Sequence, residues 1–317
     1  MRRALLVGID EYPDAPLAGC VKDASEMERL LRFHEDGAPN FDCRTLLAPP
    51  DTITRAILRA ATEALVQQPA DISLFYFSGH GTENNLGGYL VTPDAKTYDE
   101  GVPMSDVLAL ANKSPVTEIV VVLDCCHSGA FGQVPAIDRS NDTAHLRQGV
   151  SVLTASRATE SAMEQGGAGI FTSLVRSALE GGAADVIGNV TIASTYAYVD
   201  EALGAWEQRP LFKAHVSRLT TLRRCRPAVS IETLRLLPKW FPSPDFEFPL
   251  DPSYEPEAQP RHLENEAIFS QLQKCRAAKL VVPVGEEHMY YAAMNSRSCQ
   301  LTHLGRHYWR LANEGRI

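Results

Sequence analysis

Apolar residues in this chain fall into short runs rich in β-branched and aromatic side chains, separated by stretches with helical spacing. Residues 4–9 (ALLVGI), 72–77 (ISLFYF) and 118–123 (EIVVVL) are nearly continuous apolar runs of strand length. Runs without polar alternation predict strands buried on both faces, as in a parallel sheet. Residues 41–48, 150–154 and 210–214 predict three further strands, and residues 84–92 a Gly-rich hairpin. Between them, helical patterns span 23–31, 104–111, 171–180 and 192–203, and another runs from Pro49-Pro50-Asp51 to about Gln68. Strand and helix alternate, which predicts an α/β fold with a doubly wound, mostly parallel sheet and helices on both faces.

The pattern lapses twice. Residues 131–148 lack periodicity, and the stretch 138–143 (DRSNDT) is strongly polar, which predicts a mobile surface loop. From 238 to 260, prolines 238, 242, 244, 249, 252, 256 and 260 interleave with acidic and aromatic residues. Repeated prolines oppose both helix and ladder, so residues 218–261 read as an extended linker or a segment laid over the surface. Beyond it, 265–280 predicts a helix, 281–284 and 289–293 two short strands paired across Gly285-Glu286-Glu287, and 301–311 a final helix. The Gly166-Gly167-Ala168-Gly169 stretch lacks the Lys-Ser/Thr ending of a phosphate loop and reads as a turn.

Two of the buried runs end in chemistry. One continues into Ser78-Gly79-His80-Gly81, the other into Asp124-Cys125-Cys126-His127-Ser128-Gly129. Parallel strands finish at one sheet edge, where α/β proteins bind and transform ligands. A thiol and an imidazole at that edge are the parts of a cysteine protease: the thiolate attacks a carbonyl and the imidazole handles the leaving amine's proton. A lone His at a strand end is usually structural, but Gly79 and Gly81 beside His80 permit a substrate's close approach. His127 adjoins the thiol in sequence and is poorly placed to serve it. Cys125 and Cys126 cannot both face one site, because strand side chains alternate.

The SGHG and DCCHSG motifs, in this order, resemble the caspase-like cysteine peptidases, in the metacaspase and bacterial caspase-homologue branch. The resemblance covers residues 1–217 and implies a caspase-like domain there, with the loop dividing a large from a small section. It selects Cys126 as nucleophile and His80 as acid/base, leaving Cys125 as a small buried hydrophobe. It implies an oxyanion hole from the N–H groups of Gly81 and Cys126. It also implies a primary specificity pocket formed by Asp23, Ser78 and Asp124, hence cleavage after Arg or Lys. Arg139 and Arg147 in the loop are then candidate self-cleavage points. Some metacaspases bind calcium, but Asp94, Asp99 and Glu100 lack regular oxygen-ligand spacing, so no cofactor or metal is assigned. The tail, residues 262–317, is similar to winged-helix domains, a small α+β module.

Composition narrows the partners. Of 317 residues, 44% are hydrophobic and 22% charged, an ordinary globular balance, and the net charge of −9 disfavours nucleic acid as a partner. No apolar run approaches the ~18 residues of a membrane span. Seven scattered cysteines without metal spacing point to reduced thiols and a cytoplasmic location. The expected partners are a protein substrate with a basic cleavage site and a protein activator or substrate docking on the tail. Bacterial relatives often act in regulatory or defence cascades, antiviral defence among them. The competing readings are a catalytically weak adaptor and a DNA-binding regulator acting through the tail.

Overall fold

The computed structural model describes residues 1–125, 145–155, 164–165, 168–204 and 210–317. The chain divides into two compact units, Met1–Ala184 with Asn189–Cys225, and Asp185–Gly188 with Arg226–Ile317.

The first unit begins β1 (Arg2–Ile9), α1 (Cys20–Arg32), β2 (Asp42–Ala48), α2 (Arg55–Gln67) and β3 (Ile72–Ser78). A small antiparallel sheet follows, β4 (Gly81–Asn84), β5 (Gly87–Lys96) and β6 (Asp99–Pro103), and then α3 (Met104–Lys113), β7 (Glu118–Asp124) and β8 (Val150–Thr154). Next come the short pair β9 (Glu164–Gln165) and β10 (Ala168–Gly169), and α4 (Ile170–Ser177), whose last residues continue into a π-turn, Ala178–Gly182. The unit closes with β11 (Asn189–Thr191), α5 (Ile192–Leu203), β12 (Leu211–His215) and β13 (Thr221–Arg224).

Six strands form the central sheet in the order β12-β8-β7-β3-β1-β2. All neighbours are parallel except β12, which runs antiparallel to β8. Side-chain alternation divides the buried residues into two cores. Leu5, Val7, Phe75, Phe77, Val121, Leu123 and Cys125 meet α2 and α3 on one face. Leu6, Leu74, Tyr76, Val120 and Val122 meet α1, α4 and α5 on the other. Each fully buried Leu, Val or Phe contributes about 1.5–3 kcal/mol, so the continuous apolar runs fix both layers. The predicted start of α2 is corrected: Pro49 and Pro50 precede the helix, whose cap is Thr54, accepting from Ile57 N at 3.3 Å. Asp51 turns back to accept Leu47 N instead, at 3.0 Å.

The second unit contains α6 (Ile231–Trp240), β14 (Phe248–Pro249), a 3-10 turn (Pro252–Tyr254), α7 (Leu263–Ala277), β15 (Val281–Val284), α8 (Met289–Met294), β16 (Ser298–Leu301) and α9 (His303–Asn313). The proline-rich segment is therefore not an extended linker. Ser230 caps α6, and Leu234, Leu237, Trp240, Phe241 and Leu250 lie in this unit's core with Phe269, Leu272 and Cys275. Pro238 is tolerated because it sits in the final turn of α6, where little of the ladder remains to break. The expected strand at 289–293 is also corrected. Met289, Ala292 and Ala293 are buried at helical spacing in α8, and β15 pairs with β16 instead. Among the described residues no helix is long and apolar enough to cross a membrane.

Candidate active site

The ends of β1, β3 and β7 lie side by side, with Gly8 opposite Ser78 and Ser78 opposite Asp124. Gly8 is glycine for a packing reason: a Cβ there would stand 2.3 Å from the Cys20 carbonyl oxygen. The first turn of α1 therefore rides directly over the strand end. Asp10, just past β1, caps that helix from outside it, accepting Cys20 N at 2.8 Å and Val21 N at 3.4 Å. This arrangement carries Asp23, in the first turn of α1, into the buried layer at 1% exposure.

Asp23, Ser78 and Asp124 gather around Tyr76 and Cys20. Tyr76 is fully buried; burial, then the charges of Asp124 and Asp23, push its phenol well above its ordinary value. The Cys20 thiol is pushed up to about 12 by burial, with the carboxylates of Asp10 and Asp124 adding to the effect and the Ser78 hydroxyl opposing it. Thr172, in the first turn of α4, donates to Asp124 Oδ2 at 2.6 Å and lies 2.7 Å from the Tyr76 hydroxyl. Ser78 and Asp124 are themselves buried, and the face they share is the one away from Cys125.

His80 projects from the turn between β3 and β4 and is half-buried. Its Nε2 lies 2.7 Å from the Ala15 carbonyl oxygen. A carbonyl only accepts, so Nε2 carries the proton and, in the neutral ring, Nδ1 holds the lone pair that can take one. The Tyr12 ring tilts against the imidazole with centroids 4.6 Å apart. The Tyr12 hydroxyl accepts His80 N at 3.0 Å and donates to Val91 O at 3.3 Å. A Cβ on Gly79 would stand 2.5 Å from that hydroxyl oxygen. Gly79 thus makes room for Tyr12 rather than for a substrate.

The sequence matches the Peptidase C14 caspase domain over residues 1–221. The chain belongs to the caspase domain family. Membership in that family carries the caspase fold. It is 28% identical over 177 residues to metacaspase-2 of Trypanosoma brucei brucei, covering 46% of this chain and 48% of that protein. With metacaspase-1 of Mycosarcoma maydis it shares 28% identity over 154 residues, covering 43% and 38% of the two chains. The matched region spans less than half of each of these curated relatives. In fold it is similar to protein GSU0716 from Geobacter sulfurreducens, with a TM-score of 0.52 at 17% identity, over 71% of this chain and 97% of that one. Caspase-1 from Spodoptera frugiperda aligns with a TM-score of 0.50 at 10% identity, over 71% and 90%.

Ser78, Asp124 and Asp23 lie together around Tyr76, and His80 follows the end of β3. Gly81 opens β4 opposite Leu90. Cys126, which also supplies half of the expected oxyanion hole, and Arg139 lie outside the described residues. Arg147, expected as a possible self-cleavage point, lies within the described residues. Its guanidinium donates to the carbonyls of Ala111, Val116 and Gln148, and its own N–H donates to Asn112, so the residue is an anchor of the α3–β7 connection. The acidic hairpin residues also have structural partners: Asp94 accepts Arg55 N at the start of α2, Asp99 pairs with Arg55, and Glu100 accepts from Asn84. Among the described residues no three His, Cys, Asp or Glu side chains gather as a metal site. Tyr12, Ala15, Asp10 and Thr172 were not singled out by sequence. Tyr12 could have been, since it follows β1 at the same edge; Thr172 carried no signal.

Proposed function

We propose that this chain is an endopeptidase that cleaves after Arg or Lys, with Cys126 as nucleophile and His80 as acid and base. The observation that carries the reading is His80 itself. Its ring is fixed by Ala15 and Tyr12 beside the end of β7, the strand that leads directly into Cys126. In the reaction His80 takes the Cys126 thiol proton at Nδ1 as the sulfur bonds to the scissile carbonyl carbon, and the charge on the carbonyl oxygen is met by the N–H groups of Gly81 and Cys126. Collapse breaks the C–N bond as His80 gives its proton to the departing amine. Water, losing a proton to His80, then hydrolyses the thioester and frees the new carboxyl terminus.

The basic preference is supported by two buried carboxylates and a hydroxyl around one spot, Asp23, Asp124 and Ser78. A guanidinium satisfies several such acceptors at once, and an Asp side chain would meet like charge. The second unit is proposed to dock an activating protein or a substrate. Its α8 leaves Tyr290, Tyr291 and Met294 exposed, whereas Met289 is buried and Trp309 donates to Phe241 O. The proposal includes a cytoplasmic role in a bacterial regulatory or defence cascade. Profiling the purified chain against a peptide library, with and without calcium, tests the reading: Arg and Lys dominate before the scissile bond if it is right, and Asp or a large apolar residue dominates if it is wrong.

A further inference from the structure

Thr172 has one hydroxyl proton and two buried neighbours that compete for it. The carboxylate of Asp124 can only accept, so at 2.6 Å the Thr172 proton is committed to Oδ2. The Tyr76 hydroxyl, 2.7 Å from Thr172 Oγ1, must then be the donor in its own bond. The two buried hydroxyls therefore form a chain with a single sense, Tyr76 to Thr172 to Asp124. Both its protons point toward the carboxylate, a member of the acidic cluster. The Ser78 hydroxyl stands beside the Tyr76 phenol and the Cys20 thiol.

We infer that Thr172, backed by Tyr76, is a positioning residue for substrate specificity: it fixes the plane of the Asp124 carboxylate so that the site prefers a planar guanidinium to an ammonium. This inference rests on the assignment of Asp124 to the pocket for a basic side chain. Three features make the fixing rigid. Tyr76 and Thr172 are both wholly buried, so no water substitutes for a lost hydroxyl. Thr172 belongs to the first turn of α4, whose unsatisfied N–H groups favour a nearby anion. One turn later Arg176 bonds Glu26 of α1 at 3.3 Å, tying α4 to the helix that bears Asp23. A carboxylate held in one plane rewards the fork of arginine; the point charge of lysine gains little from planarity.

The test compares Thr172→Ala and Thr172→Ser in the full chain, using matched peptides ending in Arg or Lys. Loss of one hydrogen bond to a charged group predicts about a tenfold fall in kcat/KM for Arg with Thr172→Ala. The fall should lie in KM, be smaller for Lys so that the Arg:Lys ratio shrinks, and be restored by Thr172→Ser. The same change should loosen binding of the Arg peptide to the Cys126→Ala variant, a readout independent of turnover. Should Thr172→Ala not fold, Tyr76→Phe, which removes only the rear donor, should shrink the Arg:Lys ratio in the same direction. Equal losses for both peptides, or an unchanged ratio, would overturn the inference. Asp124→Ala separates the two levels. If it spares Arg turnover, the pocket assignment falls and this inference with it. If it abolishes Arg preference while Thr172→Ala changes nothing, the inference falls alone.

Discussion

Replacing Tyr12 by Phe should separate the fixing of His80 from the packing around it. The ring stays, so its contact with the imidazole at 4.6 Å is kept. The hydroxyl goes, and with it the acceptor for His80 N and the donor to Val91 O, at 3.0 and 3.3 Å. An unsatisfied buried polar group costs about 1–3 kcal/mol, and the low end suits a half-buried strand end, giving about 2 kcal/mol for the two. In a domain of this size that corresponds to a fall in Tm of about 4–8 °C. Ring misplacement of 1 Å can cost about 10²-fold in rate, and the remaining bond to Ala15 should limit the loss to about tenfold in kcat with little change in KM. A double-mutant cycle with Gly79→Ala sharpens the test. The added methyl would stand 2.5 Å from the Tyr12 oxygen but 3.0 Å from the nearest Phe77 ring atom, so Gly79→Ala should cost less stability in the Tyr12→Phe background. Unaltered kcat and Tm in Tyr12→Phe, or strict additivity in the cycle, would refute the reasoning.

Three shorter predictions follow from buried groups. His34 Nδ1 accepts Arg224 N at 3.1 Å, and burial, then the nearby arginines, pull its pKa from 6.5 down to about 4. The unfolded chain thus binds the extra proton between those values, so this contribution to stability is lost as pH falls from about 6.5 to about 4. His34→Asn, which keeps an acceptor, should flatten that part of a Tm–pH curve. Glu255 is buried with Oε1 lacking a hydrogen bond, and burial, then Glu257, raise its pKa. The folded state therefore holds this proton more tightly, and stability falls as pH rises from 4.5 through the raised value. Glu255→Gln should raise Tm at neutral pH and lose that advantage near pH ~4. Cys125, packed with the α2 and α3 face of the sheet, should tolerate change to Ala with activity kept and about 1 kcal/mol of stability lost; equal inactivation by Cys125→Ala and Cys126→Ala in folded protein would contradict the face assignment.

The central sheet was legible because its inner strands β1, β3 and β7 carry nearly unbroken apolar runs, and the order of motifs put His80 and Asp124 at strand ends. Local ambiguity explains two errors. Residues 289–293 are too short and too uniformly apolar to separate strand from helix, and the spacing of Met289, Ala292 and Ala293 decides only once their burial is known. The prolines of 238–260 masked the Leu234, Leu237 and Trp240 stripe that starts before them. What sequence did not disclose is long-range side-chain chemistry. Tyr12 meets His80 across 68 residues and Thr172 meets Asp124 across 48, and neither pairing leaves a mark in local pattern. Arg147 shows the converse: a basic residue in polar sequence looked cleavable, yet three backbone carbonyls hold it.

The most direct test of the central claim is the initial rate on an Arg-terminated fluorogenic peptide for the purified chain, its Cys126→Ala variant and its His80→Ala variant. The account predicts turnover by the unaltered chain and a loss of about 10³-fold or more in each folded variant, because nucleophile and acid/base act as one unit. Turnover that survives in Cys126→Ala or His80→Ala would contradict it.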